Sequence, residues 1–205
     1  MASDTSRVRV FTWVLAGLLG IAVGVVTALL ATSVMADPMQ TVPGHPEWRT
    51  KHATAAQHPN MYVRAFAARY GLLGLSTSEA KYCHTIADRQ GRPLSTACDY
   101  EITGQGLPAQ WWSLTLYATD GFLARNDDHA NHIGTTNVVA GADGKWSIRI
   151  GKTRDGASNW LSTRNAGTQF VLTLRMYLPT QAVVDGQVPD LPAIQRMSCE
   201  AEHGS

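Results

Sequence analysis

The chain has 205 residues, of which 44% are hydrophobic and 16% are charged. That composition is too apolar for a disordered chain, and 18 glycines are too few for a fibrous repeat. Two of the 17 basic residues and one of the 16 acidic residues precede residue 37, so residues 37–205 are formally neutral with 15 of each. Without a basic cluster the chain lacks the counterion-release term that drives nucleic-acid binding, and we expect no nucleic-acid partner.

The first element is an uncharged stretch of 27 residues, 10–36. A helix of about 20 residues crosses a hydrocarbon core of ~30 Å. Arg7 and Arg9 precede the stretch and Asp37 follows it. The positive-inside rule therefore predicts a cytoplasmic N-terminus over residues 1–9 and a transmembrane signal-anchor helix, with the following domain outside the cytoplasm. This predicts a single-pass membrane protein whose globular domain lies outside the cytoplasm.

A cleaved signal peptide is the alternative for the same stretch. Ala36 and the residues just before it are small or permissive, as a signal peptidase requires. The apolar core of a cleavable signal usually runs ~7–15 residues, and this one is longer, which favours a retained anchor.

Two short segments precede the main domain. Residues 37–59 are rich in proline and histidine and lack a periodic apolar pattern, which predicts a linker. Within residues 60–74, apolar side chains recur at near-helical spacing between Asn60 and Gly71, which predicts a short amphipathic helix.

From residue 80 onward the hydrophobic period changes to two. Apolar and polar residues alternate in four segments, which are 98–103, 111–117, 146–150 and 170–177. Turn dipeptides such as Asp120-Gly121 and Asp143-Gly144 separate them. The pattern predicts a mainly β fold, an antiparallel β-sandwich or jelly-roll-like domain over residues 75–199, followed by a flexible tail at 200–205.

Sequence motifs for catalysis or metal binding are weak. The densest group of potential ligands, Asp127, Asp128, His129 and His132, lacks zinc or calcium spacing and is interpreted as a polar surface loop. The chain has no GxSxG nucleophile elbow, phosphate loop or dinucleotide fingerprint. We therefore predict no catalytic residue, no metal and no cofactor.

The best candidate for ligand binding is the second face of two predicted strands. Trp111, Ser113, Thr115 and Tyr117 share this face on one strand, and Val171, Thr173, Arg175 and Tyr177 share it on the other. Aromatic rings with hydroxyl and guanidinium groups suit a glycan, or a small acidic ligand held by Arg175. The alternative is a core or protein interface in which Arg175 pairs with an acid such as Asp155 or Asp185.

Several motifs in order resemble the DUF1214 family of bacterial proteins. They are the segment 111–117, Asp120-Gly121-Phe122-Leu123 with Asn126, Asp143-Gly144-Lys145-Trp146, Ser158-Asn159-Trp160-Leu161 and the segment 172–179. The resemblance covers residues 75–199 and implies a β-rich, jelly-roll-like fold without an established activity. In that family the domain often follows a DUF1254 domain; here a membrane span and linker stand in its place, as in a small stand-alone member. The Asn-Trp-Leu match adds Asn159 and Trp160 as candidate ligand-binding residues.

Cys83, Cys98 and Cys199 predict one disulfide and one free thiol in a domain outside the reducing cytoplasm. A hairpin of residues 79–86 with 96–103 would place Cys83 opposite Cys98 and permit that bond. Similarity to the stand-alone members favours Cys98 with Cys199 instead, which would leave Cys83 as a buried thiol. That bond would also close a loop of about a hundred residues.

Two functional hypotheses follow. The first is a single-pass, membrane-anchored envelope protein of the bacterial inner membrane that presents a β-sandwich in the periplasm as a binding or assembly module without catalysis. The second is an enzyme or enzyme subunit acting on a carbohydrate or a small acidic metabolite, with Arg175 holding the anion. If the aromatic face of the two strands is exposed in the monomer, a second copy of the chain could bury it, which would make the protein a homo-oligomer.

Overall fold

The computed structural model describes residues 2–34, 39–50, 61, 64 and 75–200. The chain divides into two compact units, one containing helix α1 (Ala2–Val34) and the other all of the strands. Within α1, Arg9–Leu30 is a segment of 22 residues that is long and apolar enough to cross a membrane. Its large apolar side chains are exposed, as expected for a helix that meets lipid.

The second unit is mainly β, as predicted, and contains two sheets. Strands β1, β2, β3, β9, β5 and β6 form a six-stranded sheet in that order, and β10, β4, β7 and β8 form a four-stranded sheet. All neighbouring strands are antiparallel except β7 and β8, so the smaller sheet is mixed. The bounds are β1 Gln40–Val42, β2 His45–Thr50, β3 Ala80–Thr85, β4 Cys98–Gly104, β5 Ala109–Ala118, β6 His132–Gly134, β7 Trp146–Gly151, β8 Trp160–Ser162, β9 Phe170–Pro179, α2 Gln181–Val184 and β10 Ala193–Cys199.

The prediction of a linker over residues 37–59 is wrong where the structure describes that range. Strands β1 and β2 extend the larger sheet there, with β2 paired to β3. Trp48 is fully buried and donates from Nε1 to the Pro192 carbonyl at 2.8 Å. The segment lacked a visible apolar pattern because its other buried residues in β2, Glu47 and Thr50, are polar.

Two other predicted segments fall almost entirely outside the described residues. In the predicted helix at 60–74, the structure describes Met61 and Arg64, which are both helical and exposed. In the predicted tail at 200–205, it describes Glu200, whose carboxylate pairs with Lys152.

One hydrophobic core lies between the two sheets, because inward side chains of both sheets belong to the same buried cluster. The Trp112 ring on β5 stacks on the Trp146 ring on β7, with centroids 5.0 Å apart. Tyr100 on β4 meets Phe170 on β9 edge to face at 5.7 Å. Contacts between aromatic rings thus join the sheets at two places, as in a β-sandwich.

A buried ion cluster fastens the β3–β4 connection to β10. The Asp88 side chain is fully buried, and its Oδ1 accepts hydrogen bonds from the backbone N–H groups of Gln90 and Arg92. Its Oδ2 lies 2.9 Å from Nε of Arg92 and 3.1 Å from Nε of Arg196 on β10. The Arg196 guanidinium also lies over the Tyr100 ring, 5.4 Å from its centroid. One carboxylate therefore connects a turn to an edge strand.

Close packing at Gly134 gives a first testable prediction. A Cβ atom there would overlap the Trp112 carbonyl oxygen and lie 3.2 Å from the Ser113 Cα, and this backbone cannot turn aside. We expect Gly134→Ala to lower the free energy of unfolding by about 1–3 kcal/mol. The matched control is Gly106→Ala, since a Cβ at Gly106 meets nothing within 4 Å. Urea denaturation of the full chain in detergent micelles measures both, and equal midpoints would contradict this account.

Candidate functional site

The outer face of the six-stranded sheet brings together four of the six candidate ligand residues. Trp111 on β5 lies directly opposite Tyr177 on β9, and Ser113 lies opposite Arg175. The alternate residues of the same strands, such as Leu114 and its partner Leu174, are buried in the core. Period-two alternation therefore places Trp111, Tyr117, Arg175 and Tyr177 on the opposite, half-buried face.

The Arg175 guanidinium is held by neutral oxygen atoms. Its Nη2 donates to the Tyr117 hydroxyl at 2.9 Å, and its Nη1 donates to Oγ1 of Thr115 at 3.3 Å. The alternative in which Arg175 pairs with Asp155 or Asp185 is wrong. Asp155 pairs with Arg149, and Asp185 accepts a hydrogen bond from Gln181. Among the described residues, no carboxylate lies within ion-pair distance of Arg175.

Two tyrosine rings lie beside this guanidinium. It lies 5.3 Å from the Tyr117 ring centroid and 6.0 Å from that of Tyr82, the residue next to Arg175 on β3. Tyr177 in turn contacts Tyr82 at 6.5 Å and Trp111 at 5.4 Å. We call these five residues, Tyr82, Trp111, Tyr117, Arg175 and Tyr177, the Arg175 face.

Tyr82 is the member of the Arg175 face that sequence reasoning missed. Burial raises its pKa to about 12, and the Tyr177 hydroxyl adds to the rise while the Arg175 charge opposes it. Tyr82 is therefore a neutral hydroxyl at physiological pH. Tyr82 joins this face because β3 pairs with β9. The local sequence around Tyr82 does not indicate that pairing.

The other two candidates, Asn159 and Trp160, lie at β8 on the smaller sheet and do not join the Arg175 face. The buried Asn159 amide donates to the carbonyls of Val139 and Ser147 and accepts from the Val139 N–H. Trp160 donates from its indole N–H to the Gly151 carbonyl. The three Asn159 hydrogen bonds hold the loop around Val139 against β7. Asn159 therefore has a structural role in positioning the backbone of that loop.

Asp128, in the loop before β6, and His132, the first residue of β6, also have local partners. Asp128 pairs with Arg164 at 3.0 Å and accepts a hydrogen bond from the Ser162 hydroxyl. The His132 ring lies 2.9 Å from the Asn131 side-chain oxygen. Within the part of the chain that the structure describes, no three His, Cys, Asp or Glu side chains converge as a metal site.

The disulfide joins Cys98 on β4 to Cys199 on β10, which confirms the pairing that the family resemblance favoured. The two residues are direct partners in the sheet. The alternative bond between Cys83 and Cys98 is wrong because β3 pairs with β2 and β9, whereas β4 pairs with β7 and β10. Cys83 is fully buried as a free thiol.

The environment of Cys83 predicts an unreactive thiol. Burial raises its pKa to about 11, against smaller opposing effects of Lys81 and Thr50. Since the thiolate is the nucleophile, we expect no labelling of the native, oxidised full chain by iodoacetamide at pH 8. One thiol should react after denaturation, and all three should react after denaturation with reductant. Rapid labelling of the native chain would contradict the buried position.

Comparison with known proteins agrees with this β architecture. Residues 79–181 match the model of a protein family of unknown function, DUF1214. The chain belongs to the DUF1214 family. No curated protein matches it.

Two solved structures resemble this DUF1214 protein. A crystal structure of a Vibrio parahaemolyticus protein is 24% identical with a TM-score of 0.57, over 68% of this chain and 36% of that one. An uncharacterised protein from Burkholderia cenocepacia is 17% identical with a TM-score of 0.42, over 62% of this chain and 31% of that one. The chain thus spans about a third of the length of these structures, and the first supports the fold alone.

Proposed function

We propose that this DUF1214 protein is a single-pass protein of the bacterial inner membrane that presents its β domain in the periplasm as a binding module. The apolar segment Arg9–Leu30 supports a retained anchor by its length. The basic residues before it support an external domain through the positive-inside rule. The Cys98–Cys199 disulfide supports the same side, because such bonds persist in oxidising compartments.

The ligand site of this module is the Arg175 face, and its ligand is a small acidic molecule such as a sugar acid. The observation that carries this proposal is a half-buried guanidinium whose hydrogen-bond partners, Thr115 and Tyr117, are both neutral. A ligand carboxylate would supply the negative charge that the Arg175 guanidinium lacks, and it could accept two parallel N–H hydrogen bonds from that planar group. The neighbouring Tyr82, Trp111 and Tyr177 rings offer apolar surfaces on which a sugar ring can pack.

Calorimetric titration of the full chain in detergent micelles tests this site. The probes are glucuronate and glucose, which share a ring and differ in the carboxylate. We expect glucuronate to bind and Arg175→Ala to abolish the binding. Arg175→Lys should weaken it by about tenfold, because lysine keeps the charge and loses the planar fork. The matched control is Arg125→Ala, which removes an exposed loop guanidinium.

Equal binding of glucose and glucuronate, or binding unchanged in Arg175→Ala with an intact near-ultraviolet circular dichroism spectrum, would contradict the proposed site. Analysis of the recovered ligand separates the two functional hypotheses. Unchanged glucuronate supports a binding module. Turnover that is lost in Arg175→Ala and kept in Arg125→Ala would instead assign an enzyme.

A further inference from the structure

A cleft on the smaller sheet offers a second site that is independent of the Arg175 face. Its volume is about 520 Å³, and parts of β4 and β7, the Val139 loop and the loop around Asp155 line it. Four charged side chains belong to this lining, namely Glu101, Lys145, Arg149 and Asp155. Their pairing determines which ligand charge the cleft accepts.

Both cations of the cleft already have acidic partners. Nη2 of Arg149 lies 3.0 Å from Oδ2 of Asp99 and 2.6 Å from Oδ2 of Asp155. Nζ of Lys145 lies 3.3 Å from the Asp143 carboxylate. The two cations are therefore paired with three carboxylates, those of Asp99, Asp143 and Asp155. These ion pairs leave no excess positive charge.

Glu101 is the carboxylate of the cleft without a cationic partner among the described residues. Its Oε1 accepts a hydrogen bond from the Ser147 hydroxyl at 2.6 Å, which leaves Oε2 able to accept from a ligand. With Glu101 included, these six charged groups carry a net charge of −2, and Arg154, whose guanidinium donates to the carbonyls of the lining residues Ala157 and Ser158, reduces the excess to −1. The cleft consequently favours a positively charged ligand.

Apolar side chains give the same cleft a second recognition element. Val139 and Met197 both line it and are each 57% exposed. Met197 lies at an irregularity in the pairing of β10 with β4, between Arg196 and Ser198. Such a bulge changes the direction of a side chain, and the flexible methionine adapts to an apolar ligand.

We propose that this cleft binds an alkyl amine, with the ammonium group at Glu101 and the methylene chain against Val139 and Met197. The carboxylate supplies a charge-assisted hydrogen bond, and the two apolar side chains cover the hydrocarbon part. This inference does not depend on the Arg175 face, because the residues involved lie on the smaller sheet and its loops.

The test uses the full chain in detergent micelles and three probes of equal length and different charge, which are 1,5-diaminopentane, 1,5-pentanediol and glutarate. Isothermal titration at ~150 mM NaCl limits unspecific ionic attraction. We expect the diamine to bind and the diol and the diacid to bind at least about tenfold more weakly, since hydrogen bonds to charged groups are the stronger ones.

Matched variants locate the binding. Glu101→Gln keeps an acceptor for Ser147 and removes the charge, and it should weaken diamine binding by about tenfold or more. Asp127→Asn removes an exposed charge outside the cleft and should leave affinity unchanged. Met197→Ser should weaken the diamine about threefold while leaving methylamine, which has no alkyl chain to cover, unaffected.

Three results would overturn the proposal: no heat of binding with the diamine at millimolar concentration, an equal affinity for the diol, or a Glu101→Gln variant that binds as wild type. Arg175→Ala should not change diamine affinity. The two proposed sites can therefore fail separately.

Discussion

Replacing Asp88 with alanine is expected to lower the free energy of unfolding of the β domain by about 3–5 kcal/mol. The carboxylate is fully buried, and the Arg196 side chain that it neutralises is only 17% exposed. The substitution would leave the largely buried Arg196 cation without its carboxylate, together with the two backbone N–H groups that Asp88 accepts from. Urea denaturation of the full chain in detergent micelles measures the change.

Two companion variants show whether burial is the cause. The Arg92 side chain is 51% exposed and can turn to water, so Arg92→Ala should cost less than Asp88→Ala. Asp143→Ala breaks an exposed pair with Lys145 and should cost about 1 kcal/mol or less. If Asp88→Ala were no more harmful than Asp143→Ala, the buried cluster would contribute nothing to stability.

The second large effect is expected from removing the disulfide. Cys98 and Cys199 are separated by 101 residues, and the chain-entropy model assigns about 4.7 kcal/mol to a loop of that length. We expect a Cys98→Ser, Cys199→Ser double variant to lose about 3–5 kcal/mol of unfolding free energy. Thermal and urea denaturation of the full chain in micelles measure the loss.

The reference for that variant is the oxidised wild-type chain, and reduction of the wild type provides an independent comparison. Reduced wild type and the double variant should have the same urea midpoint. A double variant as stable as the oxidised chain would show that the pairing of β4 with β10 suffices without the bond. Cys83 is present in every sample, so its buried thiol does not distinguish them.

The strands that sequence alone predicted are those in which alternation and burial coincide. In β5, Trp112, Leu114 and Leu116 all point into the core, and the same holds for alternate residues of β4, β7 and β9. In β2, by contrast, a buried glutamate and a buried threonine accompany Trp48, so the apolar pattern is absent. Hydrophobic periodicity detects a strand by its alternating apolar residues, so it does not detect a strand whose buried residues are mostly polar.

The candidate site was predicted in part for a related reason. Alternation placed Trp111, Arg175 and Tyr177 on one face, because β5 and β9 each carry their pattern locally. Tyr82 entered only through the pairing of β3 with β9, which joins residues about 90 positions apart, and local sequence does not encode that neighbour. Asn159 and Trp160 are separated from the other candidates because β8 pairs with β7 in the smaller sheet.

The position of the disulfide also has a mechanical consequence. Strand β10 is at an edge of the smaller sheet and has β4 as its one neighbouring strand among the described residues, so tension on the chain after residue 199 would otherwise peel it from β4 one hydrogen bond at a time. Because Cys199 is covalently joined to Cys98, that tension passes directly into β4, which is flanked on both sides. A load attached behind this strand would therefore pull on the interior of the sheet and leave the pairing of the edge intact.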